Sequence, residues 1–195
     1  MKLAVVTAGL SVPSSTRLLA DRLAAATVAA AGSPVSTAVV ELRDIALDVT
    51  KNLLTGFPSP ALREAIETVT GADALIAVTP VFTAGYSGLF KSFFDVLDAE
   101  SLVGKPVLLG ATGGTERHSL VLDYQLRPLF GYLKADPVAT GVYAASSDWG
   151  NGEGALRRRI EKAGAELASL AAGRPAAPAG PEFVPFDQLL AGAGE

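Results

Sequence analysis

The chain has 195 residues, 49% hydrophobic and 18% charged, with 16 Lys+Arg against 20 Asp+Glu. That composition supports a packed core and excludes disorder, and at roughly 100–200 residues per domain the length reads as one domain. A net charge of −4 without a basic block argues against nucleic acid, the absence of cysteine removes disulfides and thiolate or iron–sulfur chemistry, and a single histidine, His118, argues against a His-rich zinc site.

Residues 1–6 run straight into a strand-like segment with no leader pattern. The Ala/Val-rich stretch 24–40 is broken by Gly32-Ser33-Pro34, so no membrane span is expected and the cytoplasm is the expected setting. Apolar, β-branched runs at 3–7, 35–42, 74–78, 107–111 and 138–142 alternate with segments of helical period at 14–31, 60–70, 88–97, 119–134 and 154–172. Ser59 before Pro60 is a helix start, a capping hydroxyl followed by proline at the first helical position. Leu89, Phe90, Phe93, Phe94 and Leu97 have the spacing of a helix face packed on a sheet.

Five β-then-α units in series predict an α/β fold, a flavodoxin-like three-layer sandwich around a five-stranded parallel sheet of order 2-1-3-4-5. Residues 1–172 form the expected domain. Residues 173–195, rich in Ala, Pro and Gly, are expected to be a linker and tail, with Phe183 and Phe186 frayed or anchored on a surface.

In such a sheet ligands bind beyond the carboxyl ends of the strands, where the strand order reverses. Three loops there carry chemistry. The first, 8–17, brings Ser11, Ser14, Ser15 and Thr16 to a helix N-terminus with Arg17 beside them, a set suited to a single phosphate. It lacks the Walker pattern. In the second, 79–88, Pro80, Phe82 and Tyr86 stand among glycines and offer flat apolar faces to a planar ring. The third, Ala111-Thr112-Gly113-Gly114-Thr115, brings backbone N–H groups close to a ligand's polar edge.

Together these loops resemble the NAD(P)H-dependent FMN reductase family, and in particular the flavin reductases of two-component luciferase-like and alkanesulfonate monooxygenase systems. The resemblance covers roughly 1–145. It rests on Ser14-Ser15-Thr16-Arg17-Leu18-Leu19-Ala20, on Thr79-Pro80-Val81-Phe82 with Tyr86-Ser87-Gly88, Lys91 and Asp95, and on the Ala-Thr-Gly-Gly-Thr run. It implies FMN as cofactor, its phosphate on Ser11, Ser14, Thr16 and Arg17. The ring would lie against Pro80, Val81 and Phe82, with Thr112, Gly113 and Gly114 at its edge. Two departures stand out: the usual Gly-Ser start reads Gly9-Leu10-Ser11, and Phe82 replaces the commoner Tyr.

The implied activity is NAD(P)H-dependent reduction of FMN to FMNH2, supplying reduced flavin to a partner monooxygenase. Alternatives are a flavin-bound quinone or azo reductase, and a non-catalytic flavin-binding electron carrier or regulatory module. No acid–base residue is needed, since the cofactors hold the chemistry. NADPH and NADH both stay open, because no 2′-phosphate pocket is identifiable. A homodimer or homotetramer is expected, with the Phe-rich third helix as an apolar interface.

Pro128 lies inside the run 119–134 and withholds an N–H from the carbonyl of Tyr124, so a kink or π-bulge is expected. Tyr124 resembles the tyrosine that, in the two-component relatives, sits on an inserted helix turn near the flavin, and is a candidate for governing flavin transfer. The run 150–155 imitates a dinucleotide fingerprint but follows the fifth strand with no further βαβ unit, so a loop is expected. The run Arg157-Arg158-Arg159 is read as a solvated helix face, and the sequence leaves open whether Trp149 shapes a ligand or a subunit surface.

Overall fold

The computed structural model describes residues 1–150 and 153–173. The chain runs β1 (Lys2–Thr7), α1 (Ser15–Ala30), β2 (Ser36–Glu41), α2 (Ala46–Thr55), α3 (Pro60–Thr70), β3 (Ala74–Phe82), β4 (Gly85–Tyr86), α4 (Gly88–Asp95), β5 (Pro106–Gly113), a π turn (Leu122–Leu126), α5 (Arg127–Tyr132), β6 (Asp136–Pro137), β7 (Val142–Ala145) and α6 (Glu153–Ala172). Short 3₁₀ turns at Leu42–Ile45, Glu116–His118 and Ser146–Trp149 fill the connections.

The sheet order is β2-β1-β3-β5, with β6 and β7 both parallel to β5 on its far side. The expected order 2-1-3-4-5 therefore holds, but the sheet has seven strands instead of five. One addition is β4, which folds back antiparallel on the end of β3. The other comes from the fifth position, where the strand expected at 138–142 is split into β6 and β7. Side chains claim the backbone between them: Arg127 donates to the carbonyls of Val138 and Ala139, and Glu166 accepts from the N–H and hydroxyl of Thr140, both at 2.7 Å.

The central strands are buried on both faces and read as nearly unbroken apolar runs. Alternation sends Ala4 and Val6 of β1 into one core with α2 to α5, while Leu3 and Val5 enter the other with α1 and α6. In the first core Phe90, Phe94 and Phe130 meet with ring centroids 4.8 and 4.9 Å apart. Phe90, Phe93 and Phe94 are buried there, so the phenylalanines expected to supply an apolar interface belong to the core. In the second core Gly164 of α6 lets α1 approach so closely that an added Cβ would stand 2.8 Å from Ala26.

Local signals explain most boundaries. Ser14 and Ser59 cap α1 and α3 by accepting from the N–H groups of Arg17 and Leu62, each at 3.2 Å. Helix α2 is absent from the sequence reading: it is ten residues long, buries only Val49, and exposes Leu47, Leu53 and Leu54. Its one signal is Gly56, which ends it in the left-handed conformation at φ 75°. Among the described residues, no helix is long and apolar enough to cross a membrane. The linker and tail expected beyond Gly173, with Phe183 and Phe186, lie outside the described residues, as do Asn151 and Gly152.

Candidate functional site

The carboxyl ends of β1, β3, β5 and β7 open on one cleft of about 350 Å³. Its lining brings together Ser11, Ser14, Thr16, Pro80, Val81, Phe82, Thr112, Gly113 and Gly114, all singled out from sequence, and adds Gly9, Leu10, Ser15, Ser146 and Trp149. Arg17 stands outside this lining.

The first wall is the loop from β1 into α1. Its course depends on Gly9, because an added Cβ there would lie 2.0 Å from the Ser14 hydroxyl. The N–H groups of Ser15 and Thr16, in the first turn of α1, have no carbonyl within the helix to bond, and Ser14 already serves that of Arg17. Thr16 Oγ1 meets Thr112 Oγ1 at 2.8 Å, a buried bond that ties α1 to β5 across the cleft floor. Arg17 pairs instead with Asp21 at 2.7 Å and with Glu41, and its pKa is raised chiefly by the Asp21 hydrogen bond. Glu41 also holds Arg43 at 2.9 Å, and Arg43 donates to the Ser11 carbonyl at 3.0 Å. Arg43 thus braces the loop, a role that arises only when β2 lies beside β1 and that no local motif marks.

The second wall is the β3–β4 hairpin, paired through Val81 with Tyr86 and Phe82 with Gly85. Thr83 and Ala84 form its turn at φ 49° and 66°, the left-handed region that costs a non-glycine residue roughly 1–2 kcal/mol. At its base, Thr79 Oγ1 accepts from the Ser87 N–H at 3.0 Å. Phe82 is 46% exposed and turns an apolar face to the cleft.

The third wall, from Gly113 to Thr115, is held from behind by Tyr143 of β7. The phenol donates to the Thr115 carbonyl at 2.7 Å, and a Cβ on Gly113 would lie 2.1 Å from its oxygen. Burial, and then the neighbouring Asp148 and Glu116, raise the Tyr143 pKa, so the hydroxyl stays a donor. Trp149 closes the remaining side, with the Arg22 guanidinium 5.2 Å over its ring. No periodicity marks Trp149 or Ser146, which lie in the 3₁₀ turn after β7.

Among the described residues the lining holds hydroxyls, backbone and apolar faces but no charged side chain, and no group of His, Asp or Glu suited to a metal occurs. A wider groove of about 680 Å³ between α1 and α6 is lined by Ala25, Ala26, Ala29 and Ile160 together with Arg22, Arg157 and Glu161, and lies away from the strand ends. The cleft suits a planar polycyclic ligand that carries one anionic group. The bend expected from Pro128 is also present: the Arg127 N–H bonds the carbonyl of Leu122, five residues back, and Tyr124 is left 74% exposed.

Residues 1–150 match the family described as NADPH-dependent FMN reductase. The chain belongs to that family. Among FMN reductase family members, "FMN reductase (NADPH)" of Pseudomonas aeruginosa is 39% identical over 178 residues, 89% of this chain and 94% of its own. "NADH-dependent FMN reductase SfnF" of Pseudomonas fluorescens is 38% identical over 149 residues, 76% and 79% of the two chains. A solved structure of an oxidoreductase from Corynebacterium diphtheriae superposes with a TM-score of 0.86 at 46% identity, covering 89% of this chain and 98% of that one.

Proposed function

We propose that the chain reduces FMN with NAD(P)H and releases FMNH2 to a partner monooxygenase in the cytoplasm. The observation that carries the reading is the cleft itself: hydroxyls and a helix N-terminus on one wall, apolar ring faces opposite, and glycine backbone between them. Ser11, Ser14 and Thr16, with the backbone N–H groups of the first turn of α1, would hold the phosphate, and Arg17 would join them only by leaving Asp21 and Glu41. Pro80, Val81 and Phe82 would face the ring, with Thr112, Gly113 and Gly114 along its polar edge.

When bound, FMN supplies a ring that accepts hydride from the nicotinamide and a proton from solvent, giving NAD(P)⁺ and FMNH2. The chain's own contribution is positional. Its walls would cover one face of the ring and hold the phosphate, leaving the nicotinamide to approach the other face. Relatives named for NADPH and for NADH leave both nucleotides within the reading. We also assign a homo-oligomer, with the exposed Leu120, Tyr124 and Tyr132 as its apolar contact in place of the buried Phe-rich helix.

Trp149 is the chain's single tryptophan and lines the cleft, so its fluorescence reports on the site. The expected outcome is saturable quenching by FMN, with riboflavin, lacking the phosphate, binding at least about tenfold more weakly, the scale of one charge-assisted bond or more. Absence of quenching by FMN overturns the reading, and equal affinities overturn the phosphate assignment.

A further inference from the structure

We propose that Gln125 is a positioning residue for the ring-facing wall: reaching from the π turn, it clamps the β3–β4 hairpin and so sets where Val81 and Phe82 stand in the cleft. The inference rests on the flavin reading above.

The hairpin is poorly equipped to hold itself. It has two residue pairs, fewer than a ribbon needs for stability of its own. Its two-residue turn puts consecutive left-handed conformations on Thr83 and Ala84, where a type I′ turn favours Asn-Gly. Gln125 supplies what the turn lacks. Its Nε2 donates to the Ala84 carbonyl at 3.2 Å, and its Oε1 accepts from the Tyr86 N–H at 3.3 Å. One amide thus grips the backbone on either side of Gly85, on the β4 arm, which in turn pairs with Val81 and Phe82. Gly85 makes room for it, since an added Cβ would lie 3.1 Å from Oε1.

The π turn accounts for the reach. Leu122 and Leu126 are buried in the core while Tyr124, next to Gln125, faces outward. The widened turn therefore serves the core, the hairpin and the outer surface within five residues.

The test compares wild type, Gln125→Leu, and Gln125→Leu carrying Thr83→Asn and Ala84→Gly. Leu keeps the packing volume but removes both hydrogen bonds, and the added pair gives the turn the residues it prefers. Gln125→Leu weakens FMN binding, read by Trp149 quenching, about tenfold, the scale of one or two net hydrogen bonds. It also speeds hydrogen exchange at the Tyr86 amide. The turn replacement restores most of the affinity, which a residue that merely fills space would not allow. Gln125→Glu, which keeps the acceptor for Tyr86 but turns a carboxylate oxygen toward the Ala84 carbonyl, shifts affinity the same way and stands in if Gln125→Leu does not fold. Unchanged FMN affinity in a folded Gln125 variant overturns the inference, as does a loss that the turn replacement fails to recover. If wild type shows no quenching, the flavin reading falls and takes the inference with it; wild-type binding with an unaffected Gln125 variant overturns the inference alone.

Discussion

Gly113 shows how much of the site depends on single atoms. Its missing Cβ lets the Tyr143 hydroxyl reach the Thr115 carbonyl and pin the third loop. Gly113→Ala forces a buried ring to move and costs about 1–3 kcal/mol, the range for overpacking. In a Tyr143→Phe background the nearest remaining ring atom is 3.2 Å away, so most of that penalty disappears. Urea unfolding of the two single variants and the double variant measures the coupling, and additive effects would contradict the packing account. At this scale the sequence is partly legible. Ser14, Thr112 and Gly113 stand out because turn residues cluster at strand ends. Arg43 and Gln125 do not, because each acts on a loop more than thirty residues away, at Ser11 and Ala84.

Among the elements, the packing of α1 on α6 shapes the site indirectly, since α1 carries the cleft's first wall at its N-terminus. Gly164 meets the backbone and Cβ of Ala26, which cannot rotate aside. Gly164→Ala therefore destabilises the fold by about 1–3 kcal/mol despite its better helix propensity; a more stable variant in urea unfolding would show the contact to be loose. Tyr124 is the element-scale candidate for flavin exchange. Tyr124→Ala should keep more FMN through purification and turn over free FMN more slowly, as read from absorbance and steady-state rate. Normal retention with normal turnover would leave Tyr124 as a surface residue. The π turn was legible because Pro128 removes a donor at a known place. The split of the fifth strand was not, because Arg127 and Glu166, on other elements, take the backbone groups that a ladder would use. Helix α2 escaped for the opposite reason, as it exposes its leucines.

For the molecule as a whole, the alternation of apolar runs and helical segments was enough to specify a parallel sheet, because strands buried on both faces need helices on both sides. Its order places the ends of β1 and β3 side by side and leaves a crevice where the connections diverge. The loops that carry the FMN reductase resemblance all converge there, along with Trp149, which sequence left undecided. The central claim is that this cleft makes the chain a reductase that takes flavin as its substrate. Steady-state oxidation of NADPH and NADH under air, with and without added FMN, tests it most directly. The account predicts oxidation that is slow without FMN and rises to saturation as FMN is added; nucleotide oxidation that stays at background at every FMN concentration would contradict it.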